Sequence, residues 1–463
     1  MRISESYALD ARLGMIESAR STIDLQYYLI ADDSTGRLIL RALRDAAQRG
    51  VRVRLLVDDL YTATGDRLLL GLAATPHIEV RLFNPFVTAR ASPGRRLLAM
   101  ALDFKRLNHR MHNKLFIVDG AMAVVGGRNL ADEYFLRGAH SNFIDFDVLL
   151  AGPVVTELSG WFDLYWNSFA VFPAEAIART TGDALPPELA RRLFDDATRA
   201  DPRPETPSAP DLFGAPAFST GLAERRLRFL SADIASYADS PRKIDPAHNS
   251  IAIDDSLSHR FLLELSDATS EVVLFSPYFL PGPEALERIG KLRDAGVRVR
   301  IVTNSLAVSD EPLVSVGTER HQIALLRRGA ELYELSSNRL KLDHTLQSLF
   351  GSTTGRLHAK MSFIDHRYTL VGSMNLDPRS AQINTEVGVR IDSPEFAAMV
   401  RTGLKFDSYN GVYEVKLQPS GTGVYWVAAD PEHPEQLEVD PDTSLLQRIR
   451  LLLLSFFIPE SQL

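Results

Sequence analysis

The feature that most constrains this chain is that it is written twice. VRVRLLVDDL begins at Val51 and VRVRIVTNSL at Val297, 246 residues further on. RMHNKLFIVDG returns as RLHAKMSFIDH at the same offset. His112 therefore maps to His358, Lys114 to Lys360, Asp119 to Asp365, Gly126 to Gly372 and Asn129 to Asn375. Upstream, IDLQYYLI matches VVLFSPYFL with Tyr28 opposite Tyr278, an offset of 250. The four-residue difference falls in a helical stretch and amounts to about one turn of α-helix. A register held this long marks a duplication.

The hydrophobic spacing predicts the same rhythm in each copy. An amphipathic helix (11–21; 258–269) leads into a β-rich run (22–30; 271–280). A second helix (36–48; 283–295) ends at Gly50 or Gly296 and is followed by a strand (51–57; 297–303). Arg alternates with Val and Leu in VRVRLLV, as expected of a strand with one polar face. Later strands carry the histidine motif, and 146–150 and 387–391 close each unit. Strands alternating with helices imply an α/β layered fold, with helices covering a mixed sheet. The expected division is a first repeat over residues 1–171, a connection over 172–250, a second repeat over 251–411 and a tail over 412–463. The connection is rich in Ala, Pro, Asp and Thr, and its centre (201–216) lacks periodicity, which suggests some helix and an exposed loop. The tail opens with two β-like stretches, VYEVKLQ and GVYWVAA.

Composition narrows the function. A chain of 463 residues with 45% apolar content can build two or three cored domains. The absence of cysteine excludes disulfides, cysteine metal sites and thiol nucleophiles. A net charge of −8 argues mildly against nucleic acid as the partner, because such proteins carry a basic footprint. The N-terminal stretch lacks the apolar core of a signal peptide, and no segment reaches the ~20 apolar residues of a spanning helix. The last residues carry a greasy run from Leu445 to Ile458 broken by Gln447, Arg448, Arg450 and Ser455. Its fourteen residues would cover about 21 Å as a helix, short of a ~30 Å hydrocarbon core. Two readings stay open for it: a helix docked on its own domain, or one lying in a lipid interface with Arg448 and Arg450 near anionic headgroups.

The repeated motif carries the chemistry. Residues i and i+2 of a strand share a face, so the pattern predicts that His112 and Lys114 project together while Asn113, Leu115 and Ile117 face the other layer. Asp119-Gly120 reads as a turn, 121–125 as a returning strand, and Gly126-Gly127 as a place of close backbone approach. Asn129 falls where a helix can start, a position suited to holding an anion. The second copy repeats this with His358, Lys360, Asp365, Gly372, Ser373 and Asn375. If the halves pack about a pseudo-twofold axis, two imidazoles, two ammonium groups and two amides converge on one pocket. Such a pocket suits a phosphodiester, with lysines and asparagines on the non-bridging oxygens. One neutral histidine can attack phosphorus to give a phosphohistidine, while the other, protonated, donates to the leaving alkoxide. An unperturbed pKa near ~6.5 fits both tasks. The lysines supply the positive charge, so neither metal nor cofactor is expected.

HNKLFIVDGAMAVVGGRN and HAKMSFIDHRYTLVGSMN are two complete copies of the H-x-K-x4-D-x6-G-[GS]-x-N pattern, and the chain is identified by them as similar to the phospholipase D superfamily. GGRNLADEYF, NSLAVSD, GAELYEL and NLDPRSAQINTEVG most resemble bacterial cardiolipin synthases of the branch without N-terminal membrane helices. The resemblance spans nearly the whole chain. It implies two tandem α/β/α sandwich repeats related by a pseudo-twofold, with the active site at their interface. It also implies a catalytic set of His112, Lys114, Asp119, His358, Lys360 and Asp365, with His112 the nucleophile and His358 the general acid. The two aspartates would organise the loop and its polar network. Asn129, Asn375, Gly126, Gly127, Gly372 and Ser373 would support the phosphate. The acids hydrogen-bonded to the histidines would be Glu386 in NTEVGV and Asp145 in NFIDFDV, with Asp147 an alternative to the latter. The implied activity is phosphatidyl transfer making cardiolipin from phosphatidylglycerol, with phosphatidylethanolamine a second donor; a hydrolytic phospholipase D and a nuclease of the same motif are the rivals. The implied partners are phospholipid and a membrane surface, on the cytoplasmic face of a bacterial inner membrane, and no nucleic acid.

Other residues invite blander readings. His109 lacks companions at metal-ligand spacing and reads as a loop histidine. His321 and His344 read as surface residues. Tyr28 and Tyr278 fall at matched strand ends, as packing groups or beside the pocket. Asp58-Asp59 reads as a helix cap or turn. The segment 89–110 mixes six cations with LLAMAL; it reads either as a solvated loop with one buried turn or as a lip that meets anionic lipid and admits an acyl chain.

Overall fold

The apolar runs of the two copies fold into two sheets with one strand order. The computed structural model describes residues 7–62, 66–86, 93–245, 256–309, 311–342, 353–404, 411–430 and 432–455. The first copy supplies β1 (Thr22–Tyr27), β2 (Arg52–Asp58), β3 (Ile78–Phe83), β4 (Leu115–Val118), β5 (Met122–Gly126), β6 (Ser141–Ile144), β7 (Asp147–Ala151) and β8 (Val171–Pro173). Seven of them form a sheet in the order β7-β5-β4-β1-β2-β3-β8. β1, β2 and β3 run parallel, and the other pairings are antiparallel.

The remainder of the chain supplies β9 (Asp233–Ala238), β10 (Glu271–Phe275), β11 (Arg298–Asn304), β12 (Glu331–Leu335), β13 (Thr354–Leu357), β14 (Met361–Ile364), β15 (Tyr368–Gly372) and β16 (Val387–Asp392). The tail adds β17 (Val412–Leu417), β18 (Val424–Ala428) and β19 (Gln436–Leu437). The second sheet runs β19-β18-β17-β12-β11-β10-β14-β15-β16-β9. Its stretch β16-β15-β14-β10-β11-β12 repeats β7-β5-β4-β1-β2-β3 of the first. The change of offset between copies lies in the helix after the first strand of each, 15 residues over Ser34–Gln48 and 12 over Pro283–Asp294.

Alternation along the strands sets the layers. Ile23, Leu25, Val53, Leu55 and Val57 point to an outer core beneath Ser34–Gln48. Leu56, Leu115, Ile117 and Val125 point the other way, into an apolar cluster that continues without a break into Phe363, Val371 and Val389 of the second half. The halves thus share a core. The polar face expected of β2 is exposed at Arg52 and turns inward at Arg54, which binds Asp24 at 2.6 Å and Asp163 at 2.7 Å with its guanidinium over the Phe162 ring.

The segment 172–250 does more than connect. Its helix Pro187–Thr198 seats Phe194 in the outer core of the first half, whereas β9 pairs with β16 of the second. The sequence DIASYA offers little apolar alternation, so this edge strand escapes a periodicity reading. Gly71, on the helix Asp66–Ala73, makes the first of these contacts possible: a Cβ there would lie 2.5 Å from Phe194 Cβ and 2.6 Å from the Ala190 carbonyl. Gly71→Ala is expected to lower stability by about 1–3 kcal/mol through overpacking, read as the midpoint of denaturant unfolding. An unchanged midpoint would contradict this seating of Pro187–Thr198.

Candidate active site

The two histidine motifs do not ride on strands, contrary to the spacing argument. His112–Lys114 and His358–Lys360 are extended loops immediately before β4 and β14. The reason lies in where their backbone groups go. His112 N donates to Thr385 O (2.9 Å), and Thr385 N donates to Arg110 O (2.9 Å). In mirror fashion, His358 N and Ala359 N donate to Ile144 O (2.8 and 2.9 Å), and β13 pairs in parallel with β6. Each loop satisfies its buried donors on the opposite half, and so cannot complete a ladder within its own sheet.

Thr385 and Ile144 each precede an acid, so the same stitching delivers the carboxylates. His112 Nδ1 lies 2.9 Å from Glu386 Oε2 and 3.1 Å from Oε1. His358 Nδ1 lies 2.6 Å from Asp145 Oδ2. The pairs are crossed: each imidazole takes its acid from the other copy. Asp147, the alternative partner, is occupied elsewhere, with Arg12 (2.8 Å) and Arg128 (3.1 Å). The lysines fold back alike: Lys114 Nζ donates to His112 O (2.7 Å) and Lys360 Nζ to His358 O (2.6 Å).

All six side chains are buried, and their fields overlap. Burial, with the charges of Lys114 and Lys360 reinforcing it, outweighs Glu386 and takes His112 down to about 4, so the ring is neutral near pH 7. Burial pushes Lys114 well below the usual lysine range, and Glu386, Lys360 and Asp145 all act on it. Burial also lifts Asp145 to about 7 against the pull of Lys360 and Arg128. For Glu386 the balance reverses. Burial would raise it, but His112, Lys114 and Ser373 outweigh burial and hold it below the usual carboxylate range. Groups from both copies therefore act on one another within a single pocket.

The amides enter it from loops. Asn129 does not start a helix; its Nδ2 donates to Tyr134 Oη (2.9 Å). Asn375 lies three residues before the helix Pro378–Gln382, which Asp377 caps. Among the described residues, Oδ1 of both asparagines is buried without a hydrogen-bond partner. The glycines serve close approach. A Cβ on Gly126 would sit 2.1 Å from Asp147 Oδ1, on Gly127 2.3 Å from Asp145 Oδ1, and on Gly372 2.5 Å from Val387 O. In the second copy Ser373 stands where Gly127 stands in the first, and its hydroxyl donates to Glu386 Oε2 (2.5 Å).

Asp119 and Asp365 make their contacts with backbone donors at the ends of the leading helices, in the loop-organising role expected of them. Each sits beyond the far end of its strand, four strand residues from the lysine. Asp119 accepts from the backbone of Arg20, Ser21 and Thr22, and Asp365 from that of Thr269, Ser270 and Glu271. Those donors overcome partial burial and bring Asp365 down to about 2. They tie the end of each leading helix to the motif strand, and both residues adopt positive φ (53° and 52°).

Aromatic rings line both histidines. Tyr28 meets His112 edge-on at 4.9 Å and Tyr61 at 5.4 Å. Its counterpart Tyr278 packs instead with Leu280, and Tyr134 and Phe143 take the ring of His358 at 5.0 and 4.8 Å. Asp58 is more than a turn residue: it accepts from Met111 N (2.8 Å) and faces Arg110 (3.2 Å), bracing the entry to the His112 loop. Asp59 accepts from Phe86 N (2.7 Å). His109 is a buried loop residue whose Nδ1 lies 2.9 Å from Ile383 O, another stitch between halves, as is Arg379 to Asn108 (2.8 Å). His321 is half-buried on the helix Pro312–Arg327, and His344 lies outside the described residues. No group of three His, Asp or Glu able to hold a metal occurs among the described residues.

The lip and the tail are each anchored on one side and expose apolar residues on the other. Arg96 anchors the helix Pro93–Leu102 by donating to the carbonyls of Asp59 and Leu60 (3.0 Å each), while Leu98, Leu102 and Phe104 stay exposed. The helix Leu445–Ser455 docks against Pro312–Arg327 and buries Leu451 on Leu306, while Leu445, Leu446 and Ile449 stay exposed. No helix among the described residues is long and apolar enough to cross a membrane.

Two α/β/α repeats closing on one pocket of paired histidines and lysines define a phospholipase D-like enzyme. A fold of this kind occurs in the crystal structure of phosphatidylserine synthase from Haemophilus influenzae Rd KW20, with a TM-score of 0.56 over 86% of this chain and 84% of that one at 14% identity. The family model described as "Cardiolipin synthase, PLD-like domain" matches residues 13–166 and 261–407. Cardiolipin synthase C of Escherichia coli K12 is 36% identical over 97% of this chain and 92% of its own length. Cardiolipin synthase 1 of Staphylococcus aureus MRSA252 is 25% identical over 86% and 64%. The chain belongs to the cardiolipin synthase family of phospholipase D-like proteins.

Asp365→Asn is expected to lower stability by about 1 kcal/mol, because the partly exposed backbone donors of Thr269, Ser270 and Glu271 lose their charged acceptor. The sign with pH follows from a carboxyl held below its ordinary value. Its stabilisation is present above about pH 4 and is lost as pH falls toward 2. Urea unfolding at pH 7 and pH 3 measures both. An effect on turnover without one on stability would contradict the structural role.

Proposed function

We propose that this chain is a phosphatidyltransferase that makes cardiolipin from phosphatidylglycerol through a phosphatidyl-histidine on His112. The observation that carries the reading is the pair of crossed histidine–carboxylate contacts within one pocket that also holds Lys114 and Lys360. A neutral His112 with Glu386 at Nδ1 has its lone pair on Nε2, the nitrogen that attacks phosphorus. The P–O bond to the headgroup breaks, and His358 gives its proton to the departing glycerol or ethanolamine oxygen. The primary hydroxyl of a second phosphatidylglycerol then loses its proton to His358 and attacks the same phosphorus. The P–N bond breaks and His112 is regenerated. Lys114, Lys360, Asn129 and Asn375 bind the non-bridging oxygens as charge builds, and Glu386 and Asp145 orient the rings. With His112 held at about 4, the attacking form persists across the neutral range, and on the acid side turnover should fall only as pH drops toward that value.

His112→Ala and His358→Ala should each reduce turnover by more than about a thousandfold. The assay is mass spectrometry of products from phosphatidylglycerol vesicles, with and without phosphatidylethanolamine. Cardiolipin and free glycerol are expected; phosphatidic acid as sole product would make the enzyme a hydrolase. Cleavage of single-stranded DNA without lipid turnover would move it to the nucleases, which the net charge of −8 already disfavours.

The exposed leucines of the tail and lip give the reading a membrane surface, peripheral on the cytoplasmic face of a bacterial inner membrane. Burying two leucines contributes about 3 kcal/mol or more. Leu445→Asp with Leu446→Asp should therefore weaken sedimentation with anionic vesicles at least about tenfold, without moving the melting temperature. Unchanged sedimentation would remove the tail from membrane contact.

A further inference from the structure

The duplication has diverged at two positions that touch the acids. Ser373 corresponds to Gly127, and Ser380, at the same offset of 246, corresponds to Tyr134. Both serine hydroxyls reach Glu386: Ser373 Oγ lies 2.5 Å from Oε2 and Ser380 Oγ 2.9 Å from Oε1. Each hydroxyl also accepts a backbone donor, Ser373 from Val387 N (3.0 Å) and Ser380 from Asn375 N (3.2 Å). A hydroxyl has one proton, and it goes to the carboxylate, which for Ser373 is nearer (2.5 Å) than the alternative acceptor, the Val387 carbonyl (3.3 Å). Ser380 is itself fixed, its N–H donating to Asp377 (2.7 Å) and its carbonyl accepting from Lys243 (2.8 Å).

Glu386 thus has hydroxyl donors on both oxygens, and protonating it would break one of those bonds. The remaining partner, His112 Nδ1, must then be the donor. The first copy lacks both serines. Gly127 presents no side chain to Asp145, and Tyr134 lays its ring on His358. Among the described residues Asp145 accepts from Phe146 N (2.7 Å) and meets His358 Nδ1.

We infer that Ser380 is a positioning residue: with Ser373, its hydroxyl keeps Glu386 a carboxylate and His112 an Nδ1–H tautomer, and so decides which of the two histidines attacks. Asp145, with no serine hydroxyl among its described partners, leaves its pair with His358 holding the proton that the leaving group needs. The opposed shifts of Glu386, downward, and Asp145, upward, agree with this division. The charged and titratable groups that face the Glu386–His112 pair are Lys114, Lys360, Asp239, Asp377 and Tyr165. None of them changes in the variants below.

The inference rests on the phosphatidyl-transfer reading, and the test separates the two. The pH profile of kcat/KM on phosphatidylglycerol in mixed micelles reports the essential base of the free enzyme on its acidic limb. Ser380→Ala removes a donor to the carboxylate, so the His112–Glu386 pair holds a proton more readily. Its acidic limb should move up by about one pH unit, with the plateau about tenfold lower, and Ser380→Thr should restore both. An unmoved limb in Ser380→Ala, or equal losses in the Ala and Thr variants without a shift, overturns the inference. Should Ser380→Ala fail to fold by its melting curve, Ser373→Ala is read in the same way, with the same shift expected and an unmoved limb decisive against. No lipid turnover by the unaltered enzyme would overturn the transfer reading itself.

Discussion

The structure depends on an exchange across the interface in which each histidine is oriented by an acid from the other copy. A buried carboxylate costs several kcal/mol unless it is paired and hydrogen-bonded, so Glu386 and Asp145 are held only where the halves meet. The exchange extends from side chains to backbone. Thr385 bonds Arg110 and His112, Ile144 bonds His358 and Ala359, and β6 pairs with β13. Neither copy can assemble its own imidazole–carboxylate pair alone. The shared apolar cluster from Leu56 to Val389 is the mechanical counterpart of that dependence.

Duplication supplies equal parts, whereas an in-line displacement needs unequal ones: one group to attack and one to protonate. The two half-sites differ where such a difference is useful. One acid is a glutamate ringed by serine hydroxyls; the other is an aspartate against a glycine. One imidazole meets Tyr28, and behind it the half-exposed Tyr61; the other is enclosed by Tyr134 and Phe143. Two lysines that bond the carbonyls of their own motif histidines keep positive charge within the pocket while leaving the rings in place.

Much of this was legible in the sequence because the repeat reported on itself. Equal offsets disclosed the duplication, the common rhythm of its elements and the correspondence of His112 with His358. Glu386 and Asp145 were recoverable only through family likeness, since nothing in their spacing states that they cross to the opposite half. Local periodicity misplaced the H-x-K residues on strands because it cannot see backbone donors satisfied 270 residues away, as between His112 and Thr385. It missed β9 because an edge strand needs little apolar alternation. Asp119 and Asp365 look catalytic by company, yet their chemistry is that of backbone acceptors. Tyr134 and Arg379 gave no signal, and Asp58 read only as a cap or turn, because their roles come from tertiary neighbours.

The most direct test of the crossed two-histidine centre is to locate the covalent intermediate. An alkaline quench during turnover of phosphatidylglycerol, followed by proteolysis and mass spectrometry, reads the phosphoramidate, which is stable in base. The account predicts a phosphatidyl adduct on the peptide carrying His112, present in the unaltered enzyme and absent from His112→Ala. An adduct on His358 instead, or turnover with no adduct on either histidine, would contradict it.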